Sequence, residues 1–428
     1  MQKFLYSFLV LSFFSLTGHA SDCFYGRYLQ PIFSQVDITK NIKYARKPQS
    51  DGQMIDLRYD VYEPHGDTFS LRPVMLLIHG GAYLKLLDQN SPDIVQMCEY
   101  FAKRGYVCVS IDYRQEPNVL ALLSEESMVK AVGRALIDTK EAVDHLIGTY
   151  QTGNPYRIDT SKAFIGGVSA GAVSTMFISY LDSLQMLPPK YQQWILSAVG
   201  SDADYVLRHK FDLVKPKVAI SISGALLDTS WVNNKGIDLF LNHGSDDGIV
   251  PYNFGNPLGI PFLPKLFGGK AIFPRAQHQG IRVEFEDWIG RGHVPFMNLS
   301  FPDILTNLIN PTIFDSTMRN IARFVYPKLG CSSLISGVQH LQQEELKLFP
   351  NPSTGNFNIQ IPQNAMPQQW NVMIYDMAGK EIQNLQYPGN TSFITVNEKL
   401  PQGMYFIKIE YEKSNESFVY TGKVTIAP

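Results

Sequence analysis

Ala163-Phe164-Ile165-Gly166-Gly167-Val168-Ser169-Ala170-Gly171 is the stretch on which the reading of this chain turns. Its apolar start reads as the end of a buried strand. The Gly-x-Ser-x-Gly that follows reads as a turn from strand into helix, with glycines where the turn is too tight for side chains. A serine in the middle of such a turn has its hydroxyl pushed outward, where it can serve as a nucleophile. Small residues also end strands for packing reasons alone, so the five residues need partners elsewhere in the chain.

Outward from that turn, short β-branched runs alternate with longer amphipathic stretches from about residue 57 to residue 324. Residues 57–64, 74–78, 107–111, 163–167, 217–223, 238–242 and 281–288 are the predicted strands. Those at 74–78 and 107–111 are short, apolar and bounded by turn signals, as parallel strands covered on both faces are. Residues 91–103 have helical spacing, with Ile94, Val95, Cys98 and Phe101 on one face and a serine–proline start. Residues 125–147 repeat the pattern over a longer helix, 311–325 form a closing helix, and 181–215 are read as a partial cap. The alternation predicts a doubly wound, mostly parallel α/β sheet.

The length of 428 residues suits two domains, and 45% hydrophobic with 18% charged residues describes a globular chain able to bury a full core. A net charge of −2 without a basic run argues against nucleic acid or an anionic membrane surface as partner. Lys3, the apolar residues 4–16 and Gly18-His19-Ala20 predict an export signal over residues 1–20, shorter than the roughly 20 apolar residues of a membrane anchor. No later segment is apolar enough to span a bilayer, so no transmembrane anchor is expected. Of the four cysteines, Cys98 and Cys108 fall in a helix and a buried strand, where free thiols are the plain reading. Cys23 and Cys331 flank the large domain, and pairing them would staple its ends; the sequence leaves the connectivity open. No Cys/His group has zinc spacing, and neither metal nor cofactor is expected.

Composition changes after the large domain, residues 21–330. Residues 331–345 read as a polar linker and 346–428 as a small all-β sandwich, in which 357–361, 371–375, 392–396, 404–409 and 423–426 tend to alternate with period two.

A serine nucleophile needs a base, an acid that orients it, and donors for the oxyanion. His79-Gly80-Gly81-Ala82-Tyr83 follows the strand at 74–78, and its glycines let the N–H groups of Gly81 and Ala82 approach a substrate. The N–H of Ala170 completes the expected oxyanion hole, and His79 is read as a brace for the loop. Asn242-His243-Gly244-Ser245-Asp246-Asp247-Gly248-Ile249-Val250-Pro251 follows the seventh strand. There Asp247 takes the acid position, with Asp246 as fallback and Asp228, after the sixth strand, as a weaker candidate. Gly290-Arg291-Gly292-His293-Val294-Pro295 follows the last strand and makes His293 the expected base, with His278 as competitor.

Two resemblances follow from these residues. Residues 57–326 resemble the secreted carboxylesterase and lipase-like α/β-hydrolases that carry a His-Gly-Gly motif. The matching pieces include Arg72-Pro73, Arg104-Gly105-Tyr106-Val107 and Asp112-Tyr113-Arg114, together with the order serine, acid, histidine. The chain departs from some members at Ala82, where they have a third glycine; this bears on the subgroup and leaves the backbone N–H in place. The tail resembles the C-terminal sorting domain of type IX secretion in Bacteroidetes-like bacteria. It matches through Leu348-Phe349-Pro350-Asn351-Pro352-Ser353-Thr354-Gly355, Ile374-Tyr375-Asp376-Met377-Ala378-Gly379-Lys380, Leu400-Pro401-Gln402-Gly403-Met404-Tyr405-Phe406 and Gly422-Lys423-Val424-Thr425-Ile426. The resemblances imply a serine carboxylic-ester hydrolase, exported by the type IX machinery of a Gram-negative bacterium and either released or held at the cell surface.

Tyr83, Tyr252, Phe254, Phe262 and Phe267 are the expected substrate-binding residues, the last four within a stretch, 252–274, rich in Pro, Gly, Phe and Leu. They suit an ester with an apolar or aromatic group. Two other readings stay open. A prolyl-oligopeptidase-like serine peptidase shares the triad order, but members of that family carry a large propeller before the hydrolase domain. A non-catalytic surface binding protein would be marked by loss of the serine or histidine, and both are present.

Overall fold

The computed structural model describes residues 26–120, 124–297, 309–331, 346–361, 369–376, 380–389, 391, 393–397, 400–413 and 416–427. The expected export signal at 1–20, Cys23, most of the linker and Met377-Ala378-Gly379 lie outside the described residues. Gly26–Gly330 form one compact unit, and Cys331–Pro428 belong to another.

An eight-stranded sheet organises the first unit. Its strands are β1 (Val36–Pro48), β2 (Met54–Pro64), β3 (Arg72–Ile78), β4 (Val107–Ile111), β5 (Ile158–Val168), β6 (Val218–Ile222), β7 (Asp238–Gly244) and β8 (Val283–Trp288), in the order β1-β2-β4-β3-β5-β6-β7-β8. β1 and β2 pair antiparallel, as do β2 and β4; every pairing from β4 to β8 is parallel. Every residue of β3, β4, β6 and β7 is buried, because helices cover both faces of a parallel sheet. This is the α/β-hydrolase architecture, and it brings the loops after β3, β5, β7 and β8 to one end of the sheet.

Seven helices surround it among the described residues: α1 (Pro92–Ala102), α2 (Glu125–Gln151), α3 (Ala170–Tyr180), α4 (Pro189–Val199), α5 (Ala203–Arg208), α6 (Gly269–His278) and α7 (Pro311–Val325). Local chemistry sets their starts. The Ser124 hydroxyl accepts from the Ser127 N–H at 3.2 Å before two glutamates in the first turn of α2. Asn310 accepts from the Thr312 and Ile313 N–H groups, with Pro311 at the first helical position of α7. α4 lies close on α2: a side chain at Gly133 would come within 3.0 Å of Ile195.

Two elements differ from the sequence reading. β1 is not among the predicted strands, because Lys40, Lys43, Arg46 and Lys47 mask the alternation of Val36, Ile38, Ile42 and Tyr44; it is a mostly exposed edge strand, where charge guards the open hydrogen-bonding side. α6 lies partly inside the Pro- and Gly-rich stretch 252–274, where no helix is among the predicted elements, and Gly269 and Pro274 within it mask the helical pattern.

In the second unit, β9 (Leu348–Phe349), β10 (Phe357–Gln360) and β13 (Phe393–Val396) form one antiparallel sheet. The strands β12 (Glu381–Pro388), β11 (Gln369–Tyr375), β14 (Gly403–Lys413) and β15 (Glu416–Ile426), in that order, form a second. Phe357, Ile359, Trp370, Val372, Ile394 and Ile407 are buried in their shared core. Cys98 and Cys108 are free and buried, while Cys331 is disulfide-bonded.

The turn at Ser169 has no room for further atoms. A Cβ at Gly171 would stand 2.0 Å from the Ile78 carbonyl oxygen, and one at Gly167 would stand 2.4 Å from that of Gly171. Gly171→Ala is expected to destabilise the protein by at least about 1–3 kcal/mol. Gly148→Ala, on α2 with nothing within 4 Å, is expected to be neutral or stabilising. Urea unfolding of the two variants beside the wild type measures the contrast.

Candidate active site

Ser169 stands between the end of β5 and the start of α3 with φ 56° and ψ −119°, a conformation that costs a non-glycine residue free energy. Three contacts hold it there. Its N–H donates to the Ile222 carbonyl at 2.8 Å, its own carbonyl accepts from the Val173 N–H at 2.9 Å, and the two glycines let α3 run against the end of β3.

His293 reaches the serine from the loop after β8. Its Nε2 lies 2.7 Å from the Ser169 hydroxyl oxygen, and its Nδ1 lies 2.8 Å from Oδ2 of Asp247. The loop crosses directly over Gly244, whose missing side chain would otherwise sit 2.2 Å from the Arg291 carbonyl oxygen. The Asp246 N–H donates to that same carbonyl at 2.9 Å, and the Gly290 N–H donates to the Ser245 hydroxyl at 2.8 Å, so the loops of acid and base are laced together.

Asp247 is closed from solvent and fully engaged. Its Oδ1 accepts from the N–H groups of Ile249 and Val250, both at 2.9 Å, and its Oδ2 faces His293 and also Nε2 of His243 at 3.1 Å. Burial alone would raise its carboxyl, but the two histidines outweigh that and hold it well below the usual carboxylate range. Such an arrangement can take a proton from the serine hydroxyl and stabilise the charge that then forms on the imidazole.

The other candidates stand elsewhere. The Asp246 side chain is exposed and accepts from the Ser245 hydroxyl; Asp228 caps the short turn at Thr229–Trp231; His278 lies exposed at the end of α6. His79 is buried below the glycine loop, where Nδ1 bonds the Gly80 carbonyl at 2.8 Å, Nε2 approaches Asp112 at 3.2 Å and the ring stacks on Tyr113.

Gly81, Ala82 and Tyr83 all have positive φ, at 107°, 53° and 60°. This left-handed run turns the loop over the serine. Among the described residues, the Ala82 and Ala170 N–H groups have no acceptor in the protein, and both residues line the cavity that contains Ser169.

That cavity holds about 130 Å³ and is walled almost wholly by apolar side chains from α2, α3, α4 and the excursion after β7, among them Val132, Val173, Phe177, Ile195, Leu258 and Leu263. Tyr83 lines it, its hydroxyl donating to the Ala170 carbonyl at 2.8 Å. The expectation for the four other aromatics is corrected. Leu266 faces the cavity, and neighbouring residues on a strand point to opposite sides, so Phe267 faces away. Phe254 pairs with Phe267 between the short strands Phe254–Gly255 and Leu266–Gly268, its ring tilted against that of Phe267 at 4.4 Å, and is half exposed. Phe262 is exposed, and the Tyr252 hydroxyl donates to Asp287 at 2.6 Å outside the cavity. The excursion does wall the cavity, but with aliphatic residues and prolines.

Two further residues shape the site without having been singled out in the sequence. Ser223, with φ 53° just after β6, accepts from the Val294 N–H at 3.0 Å and pins the base loop; no sequence signal marked it. His243, adjacent to Gly244, was visible as part of the acid loop but carried no sign of where its ring points.

Residues 59–196 match the BD-FAE model, an α/β-hydrolase esterase family, and residues 347–425 match the secretion system C-terminal sorting domain. Among curated proteins, the non-reducing polyketide synthase ascC of Acremonium egyptiacum is 28% identical over 142 residues, and the chain spans 6% of that protein's length. Among solved structures, esterase 2 of the planctomycete Thermogutta terrifontis aligns at 16% identity and TM-score 0.43, over 68% of this chain and 92% of that one. A truncated carbohydrate esterase from gut microbiota aligns at 14% identity and TM-score 0.43, over 70% of this chain and 98% of that one. The chain thus carries a stretch similar to an esterase family and, after it, a stretch similar to a secretion sorting domain.

The state of Asp247 has a consequence for stability. A carboxyl held below its unfolded value, near pH 4, contributes stability that is present above that pH and lost as the pH falls through the folded value. The unfolding free energy of the wild type is therefore expected to drop more steeply on acidification below about pH 4 than that of Asp247→Asn. Urea melts from about pH 3 to 7 on both proteins read the difference.

Proposed function

We propose that this α/β-hydrolase is an exported serine carboxylic-ester hydrolase working through Ser169, His293 and Asp247 by way of an acyl-enzyme. The observation that carries the reading is the unbroken run from the serine hydroxyl through His293 to Asp247, at 2.7 and 2.8 Å, opening on an apolar cavity. His293 Nε2 takes the hydroxyl proton as the Ser169 oxygen bonds to the ester carbonyl carbon. The oxyanion that forms faces the N–H groups of Ala82 and Ala170, with Gly81 beside them, each such donor contributing about 3 kcal/mol in the transition state. Collapse breaks the bond to the alcohol, which leaves with the proton from His293. Water then repeats the sequence on the acyl-enzyme and frees the acid.

The cavity beside Ser169 takes the acyl group in this reading. Its volume of about 130 Å³ and aliphatic lining suit a short chain or a single ring. The sorting domain supports delivery to the cell surface or beyond it by type IX secretion.

Hydrolysis of p-nitrophenyl esters tests the proposal. Ser169→Ala is expected to lower kcat by roughly 10⁴-fold or more, and Asp247→Asn by roughly 10⁴-fold. Filling the cavity with Val173→Phe is expected to lower the butyrate-to-acetate ratio of kcat/KM by about fourfold per methylene excluded. A wild type without activity on any ester, or a fully active Ser169→Ala, would reject the mechanism.

A further inference from the structure

His243 lies at the end of β7, four residues before Asp247, and is 1% exposed. Its surroundings determine its tautomer. Nδ1 accepts the Gly269 N–H at 3.3 Å, so the ring proton is on Nε2, which points at Oδ2 of Asp247 at 3.1 Å and at the Val250 carbonyl at 3.2 Å. Gly269 begins α6, and a side chain there would stand 3.3 Å from the imidazole, so the glycine eases the close approach of its N–H.

Three hydrogen bonds hold Asp247, from the Ile249 and Val250 N–H groups on Oδ1 and from His293 on Oδ2, and the single Nε2–H of His243, shared with the Val250 carbonyl, stands against Oδ2 as a fourth. Contacts on both oxygens restrict how far the carboxylate can turn. The other groups around His243 are engaged with one another. The Tyr252 ring stands 5.8 Å away and its hydroxyl is bonded to Asp287, which is paired with His243 across β7 and β8 and also meets Lys270 at 3.1 Å.

We propose that His243 is a positioning residue for the triad: as the neutral Nε2–H tautomer it clamps Oδ2 of Asp247 against His293 and draws off part of the carboxylate's charge. This rests on the serine-hydrolase reading above. Its consequence for the reaction is twofold. Asp247 presents one oxygen in one orientation to Nδ1–H of His293, and the strength with which it stabilises the imidazolium is moderated by the second donor.

Two polar variants separate the ring's bonds. His243→Gln places an amide donor near the position of Nε2, while His243→Asn fills the place of Nδ1 beside Gly269 and leaves Asp247 short of one donor. On the full chain with p-nitrophenyl acetate, His243→Asn is expected to lose kcat by roughly tenfold or more with KM changed less than about twofold, and His243→Gln to stay within about threefold of wild type. The acid limb of the kcat/KM profile is expected at higher pH in His243→Asn, because a less neutralised Asp247 favours the charged His293. Equal losses in the two variants with an unmoved acid limb would reduce His243 to a packing role and overturn the proposal, as would a His243→Asn protein with wild-type kcat. An inactive wild type, or an active Ser169→Ala, would instead defeat the hydrolase reading on which it rests.

Discussion

The close backbone approach at Gly171 is the constraint on which the rest depends. With no side chain there, the first turn of α3 lies against the carbonyls of Ile78 and His79 at the end of β3. One contact thereby fixes two things together: where the serine after β5 stands, and where the glycine loop after β3 begins. Gly80 follows the same rule from the other side, with its Cβ position 3.2 Å from that of Ser169. Ser169 and the glycine loop after β3 are therefore parts of one packed junction, held by backbone and independent of flexible side chains. The left-handed strain at Ser169, Ala82 and Tyr83 is tolerated because fully buried strands surround the junction.

A second dependence runs through Asp247. It closes the loop after β7 on itself through the Ile249 and Val250 N–H groups, meets the base loop through His293 and reaches α6 through His243 and Gly269. The excursion that walls the apolar cavity lies between Asp247 and α6 in the chain. Asp247 is thus tied at both ends to the segment that shapes the cavity, and its buried carboxylate remains charged because the two histidines and the Ile249 and Val250 N–H groups replace its water.

Much of the architecture was legible because it depends on local patterns. Strands at 107–111 and 238–242 and the helix at 311–325 carry their apolar residues at the spacing their burial requires, and most of the tail strands tend to alternate. What escaped were elements whose partners compensate for a weak local signal. β1 is charged and exposed, and its place in the sheet comes from pairing with β2. The aromatics of the excursion drew attention by size, yet which side of the short strand Leu266–Gly268 faces the serine is a matter of register. Leu266 and Phe267 are equally apolar, and only the pairing of Phe267 with Phe254 decides between them.

By itself the sequence determined the candidate groups and their order: a serine in a glycine-flanked turn, an acid and a histidine after later strands, a glycine loop after an early strand, and a sorting tail. Those features are written in residue type and order along the chain. Only the tertiary structure decided which of the two adjacent aspartates, 246 and 247, meets the histidine, which apolar residues wall the cavity, and that His243 and Ser223 brace the loops. The physical reason is that these are matters of direction. A hydrogen bond needs its donor and acceptor aligned within a few tenths of an ångström, and the loops that align them are positioned by contacts with residues far away in the chain.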